Sequence, residues 1–443
     1  MVTRVANWFS ECKSRILASM GFWPTSIALL LSLAAVGLLQ LEGSKVGHWV
    51  SNFSPGLILK DGDTARTILA TTVGGLISLT VFSFSMVMSL LNRAASTLSP
   101  RLLPGLISDK RHQSVLGIFL GSIAYCLIVL ASIDPSDDGY ELPGMAIFGS
   151  IALVFVCLAV FVYFLHSISS AVQVSKVLAG LAKSTYKAVS QKVDDIGDSG
   201  PPEPDKEGIR TIRENGFPIV ASEAGWRGPI YRESLLALTK EHDVQALVAA
   251  TPGAFVLGGS PLLWLSSSVP EEVVEEFRSC VGRERGDTAQ ELEQGCRQII
   301  EIAVRALSPG VNDPSTAIRA VQQLAEILQL RARLPDMEVI LCSEGTPRIH
   351  IPATPYHDLL FELFSPLRCY GAGDSVFVLS CIDALQQVIA VSDLPEEREK
   401  QLAMEIERLA EDALEDLTSE SDRERIKTAH QEFSEKAPFP TSS

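Results

Sequence analysis

The feature that most constrains this chain is a run of 26 uncharged residues between Arg66 and Arg93. About 20 apolar residues let a helix cross the hydrocarbon core of a bilayer, so the run predicts a transmembrane helix. Small and hydroxyl residues recur along it at helical spacings, which places them on one face. That face, called the small-residue face below, consists of Thr71, Gly74, Gly75, Ser78, Ser85 and Ser89.

Other apolar runs predict three further spans, at about 24–41, 115–133 and 142–165. The fold class expected from them is a membrane all-α domain of four transmembrane helices, followed by a cytoplasmic α+β domain. Gly117 and Gly121 have the GxxxG spacing that allows two membrane helices to approach closely. Residues 1–23 are expected to form an amphipathic helix that lies in the membrane interface.

The distribution of Lys and Arg predicts the orientation of these spans. The connection 92–114 is basic, whereas the connection 134–141 has no Lys or Arg. Because positive residues are retained on the cytoplasmic side, we expect a multi-pass protein of the bacterial inner membrane with both termini in the cytoplasm. The basic residues expected at the inner mouth of the helices are Arg93, Arg101, Lys110 and Arg111.

The charge balance divides the chain in two. Residues 1–192 have a net charge of +5 and residues 193–443 a net charge of −21, which argues against nucleic acid as a partner. The predicted domains are the interfacial helix (1–23), a four-helix transmembrane domain with a cytoplasmic helical extension (24–192), a linker (193–208), a cytoplasmic α+β domain (209–393), and a charged C-terminal helix and tail (394–443). Strands are predicted at 218–222, 244–250, 337–343 and 348–351, a strand pair within 251–265, and one terminal helix over 395–428.

No catalytic chemistry is indicated by the motifs. The eight cysteines form no CxxC pair, the seven histidines form no HxxxH pair, and the GxSxG, P-loop and GxGxxG motifs are absent from the sequence. We therefore expect no enzyme activity, no catalytic residue, no metal and no cofactor. Buried free thiols are the expected state of the cysteines.

The segment LSPGVNDPSTA (307–317) is the most distinctive motif in the second half of the chain. A tight turn between two helices explains most of it, with Gly310 as a left-handed helix stop and Asp313 as the N-cap before Pro314. The alternative is a ligand or anion site at the exposed amides of the helix start. Its candidate residues are Ser308, Asn312, Asp313, Ser315 and Thr316.

The small-residue face also has two interpretations. Small residues commonly allow close packing of membrane helices, and they can also line a pore. Because the predicted spans contain no internal Asp, Glu, Lys or Arg, passive conduction fits better than coupled transport. The basic residues of the inner mouth could attract anions or lipid headgroups, although topology alone also explains them.

Three segments carry a resemblance to a known family. They are FSFSMVMSLLNRAASTLSPRLL (82–103), LGIFLGSIAYCLIVL (116–130) and IAVRALSPGVNDPSTA (302–317). The chain resembles the bacterial predicted membrane proteins filed as domain of unknown function 2254, over nearly its whole length. The resemblance implies an integral inner-membrane protein with a cytoplasmic C-terminal domain, and it implies no substrate, reaction or cofactor.

Two functions are therefore expected. The first is a homo-oligomeric channel for ions or small solutes that is regulated by the cytoplasmic domain. The alternative is a membrane-anchored sensor or scaffold that binds a ligand or protein through the cytoplasmic domain. The lipid bilayer is a partner in either case.

Overall fold

The computed structural model describes residues 21–41, 62–97, 110–133, 142–171, 173–196, 202, 204–249, 253–283, 292–341, 346–391 and 393–436. The chain divides into two compact units, residues 1–173 and 174–443. The predicted interfacial helix lies outside the described residues. The extension predicted to belong with the membrane domain, up to residue 192, falls in the second unit.

The described part of the first unit consists of helices long and apolar enough to span a membrane. They are α1 (Phe22–Leu41), α2 (Gly62–Thr97), α3 (Lys110–Ser132) and α4 (Gly144–Ala171). All four predicted spans are present; α4 is six residues longer at its C-terminal end than predicted, and α2 continues to Thr97, five residues beyond the uncharged run.

Helix α3 is the centre of this unit and contacts α1, α2 and α4. Of its span 44% is buried, compared with 17% of the span of α2. Its buried face includes Val115, Phe119, Tyr125 and Val129. At the end of α3, the backbone oxygen of Ile133 accepts a hydrogen bond of 2.7 Å from Nη2 of Arg66 on α2. The packing of α3 thus decides which faces of the other helices remain open.

The second unit combines a helical layer with two sheets. Its described helices are α5 (Val174–Ile196), α6 (Lys206–Asn215), α7 (Arg232–Glu241), α8 (Glu271–Ser279), α9 (Leu292–Leu307), α10 (Pro314–Arg331), α11 (Tyr356–Gly371), α12 (Ser375–Val391), α13 (Glu396–Asp416) and α14 (Glu420–Lys436). Its described strands are β1 (Phe217–Val220), β2 (Gly225–Ile230), β3 (Ala246–Val248), β4 (Phe255–Val256), β5 (Pro261–Leu265), β6 (Val281–Arg283), β7 (Met337–Leu341) and β8 (Pro347–Pro352).

The larger sheet has the strand order β1-β5-β3-β8-β7 and is antiparallel except for the parallel pair of β3 and β8. The smaller sheet has the order β4-β2-β6 and is antiparallel. Ile219, Leu263, Leu265 and Ile349 form part of a core that also contains Phe277 of α8. The mixed sheet fits the predicted α+β class.

Helix α10 lies at the centre of the helical layer, where it contacts α5, α9 and α12. Its buried residues follow the helical period and include Ala317, Leu324 and Leu328. Helix α13 packs against α11 and α12 with Leu402, Ile406 and Leu409 buried. The apolar residues of α13 are therefore part of this core.

Several predicted elements differ from the structure. The strand pair predicted within 251–265 is wrong, because β4 pairs with β2 and β5 pairs with β1 and β3. The single terminal helix is wrong, because Leu417 is extended (φ −70°, ψ 126°) and separates α13 from α14. The predicted linker 193–208 overlaps helix at both ends, since α5 continues to Ile196 and α6 begins at Lys206.

Candidate functional site

The small-residue face of α2 points away from the helices that α2 contacts. Thr71, Gly74, Gly75, Ser78, Ser85 and Ser89 are all exposed. The buried side of the same helix carries Ala65, Leu69, Val73 and Leu76, which pack in the core of the first unit. The structure thus brings the six predicted residues together on one surface and leaves that surface open.

Glycines on α2 and α3 have opposite surroundings. A β-carbon placed on Gly74 or Gly75 of α2 would meet no atom within 4 Å. A β-carbon placed on Gly117 of α3 would lie 2.9 Å from Cα of Pro24, and one on Gly121 would lie 3.0 Å from Cα of Ala28. The GxxxG pair of α3 therefore serves the close approach of α1.

Hydroxyl groups on the small-residue face bond back to their own helix. Oγ1 of Thr71 donates to the backbone oxygen of Thr67 over 2.8 Å, and Oγ of Ser78 donates to that of Gly74 over 2.9 Å. Such bonds satisfy the hydroxyl proton without a partner from another helix. The face can therefore exist in an apolar medium while it remains more polar than its flanks.

The flank of this face is apolar and well exposed. Ile77, Val81 and Phe84 have 47%, 61% and 52% of their surface exposed, as expected for residues that meet lipid tails. Phe82 interrupts the small-residue face itself and is 56% exposed, with its ring centroid 6.0 Å from that of Phe161 on α4. The face thus consists of two polar stretches on either side of one aromatic ring.

The predicted basic inner mouth is only partly within the described residues. Arg93 lies near the C-terminal end of α2, whereas Lys110 and Arg111 lie in the first turn of α3, and Arg101 is outside the described residues. The assignment of these residues to a loop at 92–114 is wrong for Arg93, Lys110 and Arg111, because both helices extend further than predicted. Their grouping at a mouth stays a prediction.

The segment 307–317 forms the turn between α9 and α10. Asp313 caps α10: its Oδ1 accepts a bond of 3.2 Å from the backbone nitrogen of Thr316, and its Oδ2 accepts one of 2.6 Å from Oγ1 of Thr316. The backbone oxygen of Ser308 accepts bonds from the nitrogens of Val311 and Asn312. Ser308, Asn312, Asp313 and Thr316 are thus drawn into one turn, and Ser315 lies exposed beside it.

The left-handed residue of this turn is Asn312, with φ of 49°. The prediction that Gly310 is the left-handed helix stop is wrong, because the positive φ occurs two residues later. Asparagine tolerates this conformation better than most residues. Both carboxylate oxygens of Asp313 are used in the cap, so helix–helix connection accounts for the geometry, and a ligand at the turn stays a prediction.

A buried polar cluster in the second unit is absent from the sequence-based expectations. Arg331, which is 2% exposed, donates to the backbone oxygen of Thr354 over 2.7 Å and to Oδ1 of Asp336 over 3.2 Å. Arg398 of α13 donates to the same carboxylate oxygen over 2.8 Å. Glu293 of α9 accepts from the backbone nitrogen and Oγ1 of Thr354.

This cluster joins α9, α10 and α13 to the segments that flank β7 and β8. Because its charged members are ion-paired or hydrogen-bonded, it is suited to fix the positions of these elements. Its members are separated by up to about a hundred residues in the chain, from Glu293 to Arg398. Pattern and spacing provide no signal for such a cluster.

The cysteines of the described residues are free thiols, and most of them are buried. The six described cysteines are free, and all except Cys369 are buried. Burial, with a smaller effect of Glu276, raises the pKa of Cys280 to about 11, and burial together with Glu293 raises the pKa of Cys296 to about 12. Both thiols are therefore protonated at neutral pH and are poor nucleophiles. Among the described residues, no three His, Cys, Asp or Glu side chains are placed to hold a metal ion.

Comparisons with known proteins agree with this architecture. A family described as "Predicted membrane protein (DUF2254)" matches residues 18–387. An uncharacterised protein of Mycobacterium bovis is 28% identical over 376 residues, covering 81% of this chain and 68% of the relative, and an uncharacterised protein of Mycobacterium tuberculosis H37Rv matches to the same extent. No solved structure matches the chain. The protein therefore belongs to the DUF2254 family of predicted membrane proteins.

Proposed function

We propose that this membrane protein assembles into a homo-oligomer in which the α2 helices surround a path for ions or small polar solutes, with the C-terminal unit as the regulatory part. The observation that carries the proposal is the open small-residue face of α2. Within the described part of the protomer, the residues of this face make no tight contact. A β-carbon at Gly74 or Gly75, for example, would have no atom within 4 Å.

In a bilayer, the small-residue face of one copy would meet lipid tails, water or another helix. Lipid tails offer no hydrogen bonds to hydroxyl oxygens and pack poorly against bare glycine backbone. Another helix can pack closely against this backbone, and water can bond to the oxygens. Large apolar residues occupy the neighbouring flank, where lipid is the natural partner. A ring of several α2 helices would cover the small-residue face and leave the flank in lipid. Because the described residues of one chain leave this face exposed, a second copy is the partner that would cover it.

The location and orientation are part of this proposal. Lys and Arg in the connections favour the bacterial inner membrane with cytoplasmic termini, and the strongly acidic second unit would then lie in the cytoplasm. Arg93, Lys110 and Arg111 would lie at the cytoplasmic ends of α2 and α3 in this orientation. They would set the potential at the mouth of the path.

Ion flux through the purified full-length protein in sealed liposomes tests this function. We expect flux in the wild type and a fall of about tenfold or more in Ser78→Leu, because a leucine on each copy would narrow the path and remove its oxygens. The oligomeric mass in detergent should not change. Ala70→Leu is the matched control, since Ala70 is also a small exposed residue of α2 outside the small-residue face.

Two results would contradict the proposal. Wild-type flux in Ser78→Leu would show that this face does not line the path. A stable oligomer that passes neither potassium, chloride nor glycerol would show that the face is a packing surface only.

A further inference from the structure

We propose that α6 is an acid-sensitive cover over one face of the larger sheet, and that it is released when His350 takes up a proton. His350 lies in β8, and 0% of its surface is exposed. Neither of its ring nitrogens has a hydrogen-bond partner among the described residues. The inference concerns the second unit alone, and it does not depend on ion conduction.

His350 faces away from the core that the larger sheet forms with α7 and α8. Its chain neighbours Ile349 and Ile351 both belong to that core, and side chains alternate between the two faces along a strand. The residues paired with His350 are Leu247 of β3 and Val339 of β7, which are 6% and 8% exposed. The ring therefore has apolar side chains beside it on both neighbouring strands.

Helix α6 lies over this second face of the sheet. It contacts β3 and β5, whereas the first face of these strands is occupied by the core with α7 and α8. Asp205, the N-cap of α6, is close enough for its charge to influence the pKa of His350. The start of α6 is therefore near the ring, and the helix is part of the cover that excludes water from it.

The attachment of α6 to the sheet is slight. Of its 10 residues, Ile212 is buried, and the ion pair of Arg210 with Glu214 joins two residues of α6 to each other. A helix of this length is unstable by itself in water, so its order depends on contact with the sheet. Elements with few buried contacts open locally at a small cost in free energy, and α6 is such an element.

Burial keeps the ring of His350 neutral. It lowers the pKa of His350 below the ordinary value of 6.5, and the charge of Asp205 offsets only part of this effect. Protonation would place a charge without a hydrogen-bond partner in an apolar layer, which is costly. When α6 is released, the ring is hydrated and has its ordinary pKa. The closed form is therefore favoured above about pH 6.5 and loses this advantage as the pH falls.

Other charged groups on the surrounding elements are paired or exposed. Arg348, on the same face of β8, pairs with Asp243 over 2.7 Å. Glu338 of β7 is on the opposite face and pairs with Arg232 of α7 over 2.7 Å. The charged residues of α6 itself and of the end of α5 are exposed: Lys192, Asp194, Asp195, Lys206, Glu207, Arg210, Arg213 and Glu214. Among the described residues, a protonated ring would thus be attracted by Asp205 and would lie beside the positive Arg348.

Hydrogen exchange of the purified full-length protein, followed by mass spectrometry at about pH 7.5 and about pH 5.5, tests the inference. After correction for intrinsic exchange rates, we expect the protection of peptides from α6 to fall by about tenfold at the lower pH. This is the change for a ring that has a pKa of about 6.5 in the open form and stays neutral in the closed form. Peptides from α10, at the centre of the helical layer, should keep their protection.

His350→Leu removes the proton acceptor and retains a buried side chain of similar size. We expect α6 to be protected equally at both pH values in this variant. His350→Gln, which is polar but does not titrate, should behave in the same way and keeps the test decisive if His350→Leu misfolds. His357→Gln is the control: His357 of α11 is exposed, so this variant should show the pH dependence of the wild type.

Three outcomes would overturn the inference. They are equal protection of α6 at both pH values in the wild type, an unchanged pH dependence in the two His350 variants, and a loss of protection that extends over the whole second unit. The last would indicate acid unfolding of the unit rather than release of α6. None of these outcomes depends on ion flux, so this inference and the proposed function can fail separately.

Discussion

Helices α2 and α3 of the membrane unit contain glycine pairs with opposite surroundings. Gly117 and Gly121 on α3 are covered by α1, whose backbone lies within about one atomic diameter of the place where a β-carbon would be. Gly74 and Gly75 on α2 face open space. The comparison teaches that small residues in a spanning helix can serve contacts inside the protomer or leave a face for a partner, and that only the packing distinguishes the two.

The largest effect is expected from Gly121→Leu. A leucine there would collide with the backbone of Ala28 on α1, and we expect a loss of about 3 kcal/mol or more in the free energy of unfolding. Thermal unfolding of the full-length protein in detergent, followed by circular dichroism, measures it. Gly74→Leu is the matched control and should be at least as stable as the wild type. Equal stability of the two variants would show that α1 and α3 do not approach as described.

A smaller loss is expected from Gly117→Ala. The added methyl group would lie 2.9 Å from Cα of Pro24 and 3.0 Å from Cβ of Ile27, so α1 would have to move. We expect a destabilisation of about 1 to 2 kcal/mol, in spite of the better helix propensity of alanine. The same thermal unfolding measurement gives the sign of the change in the free energy of unfolding. A variant more stable than the wild type would mean that this glycine does not serve close packing.

The smallest effect, and one of opposite sign, is expected from Gly74→Ala. Because the new methyl group meets no atom within 4 Å, the protomer should gain up to about 1 kcal/mol from helix propensity alone. If α2 helices pack against one another, the same methyl group should lower the fraction of oligomer. Light scattering in detergent at decreasing protein concentration measures this fraction. Destabilisation of the protomer would show instead that the small-residue face is covered within one chain.

The spans themselves were predictable because a bilayer imposes a simple requirement on composition. The uncharged run between Arg66 and Arg93 identifies α2, and the helical period assigns Thr71 and Ser78 to one face. Whether that face meets α3 or the exterior depends on the packing of four helices, which periodicity does not encode. The GxxxG motif of α3 and the small residues of α2 therefore look alike until the structure separates them.

Prediction was weaker in the second unit, for local reasons. Strand β2 reads GWRGPI, whose glycines and proline interrupt any apolar alternation, and β6 has only three residues. Both were missed, and with them the buried Arg227. At the other end of the unit, Leu417 continues the apolar period of α13, so the pattern runs on although the backbone turns there. The pairing of the buried Arg331 with the half-buried Asp336 depends on tertiary contacts that spacing does not reveal.

If α2 helices line a path as proposed, their back-bonded hydroxyls have a consequence for its charge selectivity. When the proton of Thr71 or Ser78 is used by a carbonyl four residues earlier, the oxygen turns only its lone pairs outward. A path bordered by such oxygens offers acceptors to a partly dehydrated ion and few donors, which favours cations, while Arg93 at its end would repel them. The sign of the reversal potential in a potassium chloride gradient would show whether the hydroxyl oxygens along the path or Arg93 at its end has the larger effect.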